Sequence, residues 1–327
     1  MEQNNYSRIL VTGGSGFIGS ALVRNLSDNK IALRVLVRDL SKTGRLADVP
    51  SAALVPGDLL NPQSLENACS NQQVVVHLAG LAHVGRSDDG KSRSSIVEGT
   101  QILLDAAVQQ GVKRFVYVSS SLAQAAGTGQ GDDTAYGRLK KSAENILLEA
   151  HARGEIEVVI LRPVNVYGVG MQGNIAKMIS LIIRKRLPPL PSVDSRISLV
   201  GVTDLVQAMW LAINSRQAAG QVYTVTDGQE YKIVDIEQAV YHALGQRFPR
   251  WRTPRVIIFA AAFLAGIVAQ VLQKGSAIGL RTYRNICHDN LFDNSKICAE
   301  LGFRPGTTFY QEMPKIVASI SQEMQRS

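Results

Sequence analysis

The stretch that most constrains this chain is ILVTGGSGFIG, residues 9–19. Ile9, Leu10 and Val11 form a short apolar run of the kind a buried parallel strand uses. Gly13, Gly16 and Gly19 follow, and Phe17, Ile18, Ala21, Leu22 and Leu26 then recur at a helical period. The order is strand, glycine turn, helix start. A helix start offers unpaired N–H groups and the positive end of a dipole, and glycine lets the backbone approach closely. That combination suits a pyrophosphate, so Gly13, Gly16, Phe17, Ile18 and Gly19 are expected to hold a dinucleotide.

Strand and helix signals alternate downstream. Strands are expected at 32–37, 52–55, 74–78, 115–118 and 158–161, with helices near 64–69, 96–110 and 136–152. Such alternation predicts an α/β chain: a doubly wound parallel sheet of the Rossmann type, with helices on both faces. Ligands of these sheets sit beyond the carboxyl ends of the strands. After Gly168 the rhythm changes. A basic helix near 175–186 runs into Leu187-Pro-Pro-Leu-Pro191, which cannot continue it. Runs at 197–200 and 222–225, with a helix at 204–213 between them, read as a return to the sheet. The expected division is 1–168 with 197–228 as the dinucleotide-binding domain, and 169–196 with 229–327 as a smaller substrate lobe.

The length, 327 residues, allows one large core or two modest ones, and 45% hydrophobic with 19% charged residues is a folded composition. Three widely spaced cysteines suggest neither a disulfide framework nor a metal cluster, and the first eight residues are too polar for a secretory signal. A cytoplasmic setting is expected, with no bound metal. The net charge is +8, yet Lys and Arg are spread along the chain without interleaved aromatics. Nucleic acid therefore ranks last, behind anionic nucleotides and an anionic membrane surface.

The strand termini carry the candidate chemistry. The second strand ends in Val37-Arg38-Asp39. An acid there accepts from the ribose 2′-OH of NAD, whereas an arginine pairs with the 2′-phosphate of NADP, and Arg38 comes first. NADP is favoured and NAD kept as the alternative. Asp58 and Leu59 follow the third strand, where Asp58 can accept from the adenine amine or cap the next helix. The fourth ends in His77-Leu78-Ala79-Gly80. The small residues let a cofactor lie on the backbone, and His77 reads as a packed residue. The fifth ends in Ser119-Ser120-Ser121, and Tyr136-Gly-Arg-Leu-Lys140 comes soon after. Tyr136 and Lys140, four apart, share one helix face. An ammonium lowers a phenol's pKa and a serine hydroxyl holds a substrate oxygen, which makes a proton-transfer site for alcohol and ketone.

Together TGGSGFIG, HLAG, VSSS, YGRLK and LRPVNVYG resemble the extended short-chain dehydrogenase/reductase family, of the NAD-dependent epimerase/dehydratase type. The set is most similar to the UDP-sugar 4-epimerase and 4-keto-reductase branch, and the likeness runs to Leu301-Gly-Phe-Arg-Pro305. The resemblance implies Tyr136 as proton donor or acceptor, Lys140 as its partner and Ser120 as the catalytic serine. It implies cofactor contacts at Tyr136, Lys140 and Pro163, and substrate contacts at Ser120, Ser121, Asn165, Asn174 and Arg196. Three departures stand out. Ile96 occupies the place of a relay asparagine, the family's diphosphate arginine aligns by counting with Ile197 rather than Arg196, and the loop before Tyr136 is short and glycine-rich.

Two reactions fit: a 4-keto-reductase that uses NADPH once, or a 4-epimerase that retains NAD. Arg38 favours the reductase, acting on a UDP-linked (N-acetyl)hexosamine in surface-polysaccharide synthesis. A non-catalytic nucleotide sensor or membrane scaffold on the same fold is the alternative of another class, and the Ser120, Tyr136 and Lys140 set speaks against it. Residues 256–272 read VIIFAAAFLAGIVAQVL, with Arg250, Arg252 and Arg255 before them and Lys274 after. The run is short for a bilayer span, so a buried helix is favoured over one resting on the inner membrane. A homodimer is a further expectation.

Overall fold

The computed structural model describes residues 4–41, 44–80, 93–128, 133–257, 259–260 and 287–326. The chain divides into two compact units, Met1–Val164 with Val202–Val225 and Asp293–Arg304, and Asn165–Gly201 with Thr226–Phe292 and Pro305–Ser327.

The first unit is built on β1 (Arg8–Thr12), α1 (Phe17–Asp28), β2 (Ala32–Val37), β3 (Leu54–Pro56), α2 (Pro62–Cys69) and β4 (Val74–His77). A π-helical turn (Ser94–Glu98) then leads into α3 (Gly99–Gln109), followed by β5 (Arg114–Val118), α4 (Ala135–Ala152) and β6 (Glu157–Pro163). These strands join a seven-stranded sheet in the order β3-β2-β1-β4-β5-β6, completed by Val222–Val225 (named β9 below). All its pairings are parallel. The strand order reverses between β1 and β4, and a crevice at such a switch point is where these sheets bind ligands.

The strands read as continuous apolar runs because both sheet faces are covered. Ile9, Leu10 and Val11 are fully buried, as are Val74, Val75 and Val76. Leu10, Val75, Phe115, Val158 and Ile160 pack with Leu65, Leu103, Leu104 and Leu147 from the helices of one face. Truncating any such leucine to alanine costs about 2–5 kcal/mol. Fully buried Arg114 ties β5 to the helix before β9. Its guanidinium pairs with Glu157 and donates to the carbonyls of Ala212, Ile213 and Ser215, at 2.7–3.0 Å. Orphan carbonyls at a helix C-terminus thereby gain a cationic partner.

The second unit holds β7 (Asn165–Tyr167), α5 (Asn174–Ile183), β8 (Arg196–Gly201), β10 (Glu230–Lys232), α7 (Ile233–Ala243) and α9 (Phe309–Arg326). Between these elements, α6 (Val202–Asn214), β9 (Val222–Val225) and α8 (Ser295–Leu301) belong to the first unit. The sequence reading returned 197–200 to the main sheet. In the structure these residues lie in β8, which pairs in parallel with β7 and antiparallel with β10 in a separate three-stranded sheet. An apolar run demands burial in some sheet, but its pattern does not name the partner strands. Residues 165–168 and 226–228 likewise go with the second unit, whereas Asp293–Arg304 goes with the first. A buried carboxylate organises the second unit, where Asp227 accepts from the hydroxyls of Tyr167 and Tyr231 at 3.0 and 2.7 Å.

Among the described residues, no helix is long and apolar enough to cross a membrane. Of residues 256–272, Val256, Ile257, Phe259 and Ala260 are described and exposed. The rest of that run, and with it the expectation of a buried helix in the lobe or at a subunit contact, lies outside the described residues.

Candidate active site

The glycine turn lies at the switch point. Gly13 has φ +74°, and a Cβ there would meet the backbone nitrogen of Ala79 at 2.6 Å, so the turn is pressed against the end of β4. A Cβ on Gly19 would lie 2.2 Å from the Gly13 carbonyl oxygen, which leaves glycine as the residue that fits inside the bend. Helix α1 starts at Gly16 with neither a side-chain cap nor an acidic residue in its first turn. Its leading N–H groups and positive dipole end are thus kept for an external anion. The cradle fits a pyrophosphate.

Behind this turn runs a buried polar chain. The Thr12 hydroxyl and His77 Nδ1 are 2.6 Å apart, and His77 Nε2 lies 3.1 Å from the Thr100 hydroxyl, which donates to the Ile96 carbonyl. His77 is fully buried, stacked on Tyr117, and held neutral: burial first, then the Lys140 charge, pulls its pKa down to about 3. It is the packed residue the sequence suggested. Ile96 itself is buried in the π-helical turn and offers only its backbone to the chain of contacts.

Helix α4 carries the candidate pair, Tyr136 and Lys140. Thr134 caps it, accepting from Gly137 N–H at 2.9 Å. Gly137 lies where a Cβ would stand 2.4 Å from the Leu122 carbonyl, so the helix start packs closely on the turn after β5. That turn, Ser121–Ala123, is capped by Ser120, whose Oγ accepts from Leu122 N–H at 3.3 Å. The Ser120 O–H remains available as a donor. Lys140 is buried, donates to the Val118 carbonyl at 3.0 Å, and places its Nζ 4.6 Å from the Tyr117 ring centre and 6.0 Å from that of Tyr136. Its ammonium is held by the end of β5, not by any side chain at position 96. Burial lowers the Lys140 pKa to about 8, opposed by Glu144, and raises that of Tyr136 to about 12.

Sequence reasoning missed Glu144. Its carboxylate, fully buried, accepts from Ser119 Oγ at 2.6 Å and pairs through both oxygens with Arg162. The signal was legible: Tyr136, Lys140 and Glu144 succeed one another at intervals of four on one helix face.

The remaining candidates lie as follows. Arg38 is exposed just past β2. Asp39 Oδ1 accepts from Ser41 N–H and Oγ at 2.9 and 2.6 Å. Asp58 is exposed after β3 and closes a local turn onto Leu60 N–H, while Asn61 caps α2, so the capping alternative for Asp58 is replaced by Asn61. Leu59, Leu78 and Ala79 are part-exposed, Gly80 is exposed, and Pro163 is buried at the end of β6. In the second unit Asn165 and Asn174 are exposed and Ser121, in the first, is buried. Arg196 is ion-paired with Glu230 and Asp289, so a substrate contact through its guanidinium requires displacing a carboxylate.

Comparison with known proteins agrees with this geometry. Residues 9–226 match the NAD dependent epimerase/dehydratase family. The chain is 32% identical over 266 residues to a UDP-glucose 4-epimerase of Vibrio cholerae, covering 75% of this chain and 78% of that protein. It is 27% identical over 340 residues to a 3-beta-hydroxysteroid dehydrogenase of Mycolicibacterium neoaurum, covering 95% and 90%. Among solved structures, a UDP-glucuronic acid 4-epimerase from Bacillus cereus in complex with NAD superposes with a TM-score of 0.74 at 22% identity, over 96% of each chain. The chain therefore belongs to the NAD-dependent epimerase/dehydratase family of extended short-chain dehydrogenases/reductases.

Proposed function

We propose that this enzyme is an NADP-dependent reductase acting at C4 of a UDP-linked 4-keto-hexosamine. The observation that carries the cofactor choice is at the end of β2. Arg38 is exposed there, and one oxygen of the Asp39 carboxylate accepts from the Ser41 N–H and hydroxyl. A 2′-phosphate would find a guanidinium, whereas a 2′-hydroxyl would compete with Ser41 for the Asp39 carboxylate oxygen. Gly13, Gly16, Phe17, Ile18 and Gly19 would hold the pyrophosphate. Asp58 and Leu59 would flank the adenine, and Leu78, Ala79, Gly80 and Pro163 would line the path to the nicotinamide.

When bound, the reduced nicotinamide supplies a hydride. The protein's own task is the proton. Ser120 O–H donates a hydrogen bond to the C4 carbonyl oxygen and fixes its position. Tyr136, kept as a neutral phenol by burial, delivers its proton to that oxygen. The Lys140 ammonium stabilises the phenolate left behind and would help hold the nicotinamide ribose when the cofactor is bound. Ser121 is a further polar group that would be offered to the UDP-sugar. The test is to denature the purified protein, identify the nicotinamide it releases, and titrate the emptied protein with NADPH and NADH. Tighter binding of NADPH is expected; tighter binding of NADH would overturn the cofactor assignment.

The 4-epimerase reading is kept alive by one observation, the likeness to the Vibrio cholerae enzyme. It requires the same Ser120, Tyr136 and Lys140 and differs in retaining oxidised NAD. Trp251, Val256 and Ile257 are all more than half exposed, beside exposed Arg250 and Arg255, which supports a peripheral seat on an anionic cytoplasmic membrane. Salt-sensitive sedimentation with phosphatidylglycerol vesicles tests that seat, and its absence at low salt removes it.

A further inference from the structure

We propose that Glu144 is a positioning residue that keeps Lys140 charged and fixes the strand carrying Ser120 against the helix carrying Tyr136. This rests on the Tyr136–Lys140 reading above.

The geometry is a three-way junction. Glu144 belongs to α4, one turn beyond Lys140. It accepts from Ser119, the residue before Ser120, at 2.6 Å. It also takes both Nε and a terminal nitrogen of Arg162 on β6, in the two-pronged arrangement that fixes orientation as well as distance. Lys141 adds a longer contact at 3.5 Å. One side chain thus joins β6, the end of β5 and the catalytic helix, with the carboxylate fully shielded from water.

The electrostatics point the same way. The groups facing Lys140 are Tyr136 and Glu144 on its own helix, Tyr117 on β5 and His77 on β4. His77 is neutral above about pH 3, and burial pushes both phenols up. Near neutral pH, Glu144 is therefore the charge among them that opposes the desolvation of Lys140. Arg162, Lys141 and Ser119 hold that charge in place.

The test follows the Lys140 ammonium directly, by NMR of protein carrying isotope-labelled lysine. Its resonance is assigned by its loss in Lys140→Met. The wild-type midpoint is expected near 8. Glu144→Gln should move it down by about one pH unit or more, because a neighbouring charge has been removed and two cations remain. Its alkaline limb of turnover should move with it. Arg162→Gln leaves the carboxylate less neutralised and should move the midpoint up, so the proposal stays testable if either variant fails to fold. Ser119→Ala keeps the charge; it should lower turnover and leave the midpoint in place. An unchanged midpoint in Glu144→Gln, with turnover reduced equally at every pH, would reduce Glu144 to a structural clamp and overturn the proposal. If no UDP-sugar is turned over by the wild type while the midpoint moves as stated, the proposed reaction fails and the role of Glu144 toward Lys140 stands.

Discussion

The Lys140 ammonium lies 4.6 Å from the centre of the Tyr117 ring, which in turn stacks on His77. A charge placed over an aromatic face in a dry site is attracted to the ring quadrupole, and it also acts on everything behind the ring. Here it helps hold His77 neutral. The three residues therefore form one electrostatic unit at the ends of β4 and β5, and each should reveal itself in pH and stability measurements.

Lys140 pays for its function in stability. Its pKa falls from 10.5 to about 8 on burial, so the folded chain binds its proton less tightly than the unfolded chain. The penalty is fully present below about pH 8 and is relieved as pH rises toward 10.5, and a shift of this size corresponds to roughly 3 kcal/mol. Lys140→Met should raise the denaturation midpoint at pH 7 while abolishing turnover. A less stable Lys140→Met protein would contradict the sign.

His77 gives a slope of the same sign, at acid pH. Its pKa drops from 6.5 to about 3 on folding, so its contribution is present above about 6.5 and is lost as pH falls toward 3. Urea unfolding should show stability declining by several kcal/mol, on the order of 1.4 per pH unit, across that interval. His77→Gln, which cannot take up the proton, should flatten the slope. Equal slopes in the two proteins would assign the acid lability elsewhere.

Gly19→Ala places a methyl where only 2.2 Å separates it from the Gly13 carbonyl oxygen. The turn must open, and the N–H groups meant for the pyrophosphate lose their aim. Fluorescence titration should show NADPH binding weakened by about tenfold or more, equivalent to about 1.4 kcal/mol. Unchanged binding would remove the glycine turn from the cofactor site.

For Arg38→Ala, the expected loss is selective. NADPH should bind about 10- to 100-fold more weakly, the range of one charge-assisted contact, while NADH binding stays nearly constant. Parallel losses for both cofactors would mean that Arg38 supports the loop and does not read the phosphate.

Much of this architecture was legible in the chain. The run from Ile9 to Gly19 and the alternation after it specify a parallel sheet because apolar strands buried on both faces leave little else. The strand at 222–225 and the helix carrying Tyr136 and Lys140 fall where periodicity put them. What was not legible is pairing. Nothing in the residues at 197–200 distinguishes an edge of the main sheet from the centre of a smaller one, since both reward the same apolar pattern. The Thr12–His77–Thr100 chain and the Ser119–Glu144–Arg162 junction escaped for a similar reason: each joins residues distant in sequence, and buried polar partners obey no period. Arg196 is expected from the resemblance to contact substrate, and only the fold brings Glu230 and Asp289 to it.

The central claim is that Tyr136 protonates a C4 oxygen while an exogenous NADPH delivers hydride to the same carbon. The most direct measurement supplies NADPH deuterated on its transferring face, with a UDP-4-keto-hexosamine, and follows deuterium in the product by NMR. Wild-type protein should place deuterium at C4 with one NADPH consumed per sugar. Tyr136→Phe should bind NADPH normally and turn over about 100-fold more slowly or worse, the usual scale of a lost general acid. No deuterium at C4 and no NADPH consumed with the 4-keto sugar, together with inversion at C4 of a UDP-hexose supplied in its place without NADPH, would contradict the reductase, and full activity in Tyr136→Phe would contradict the proton donor.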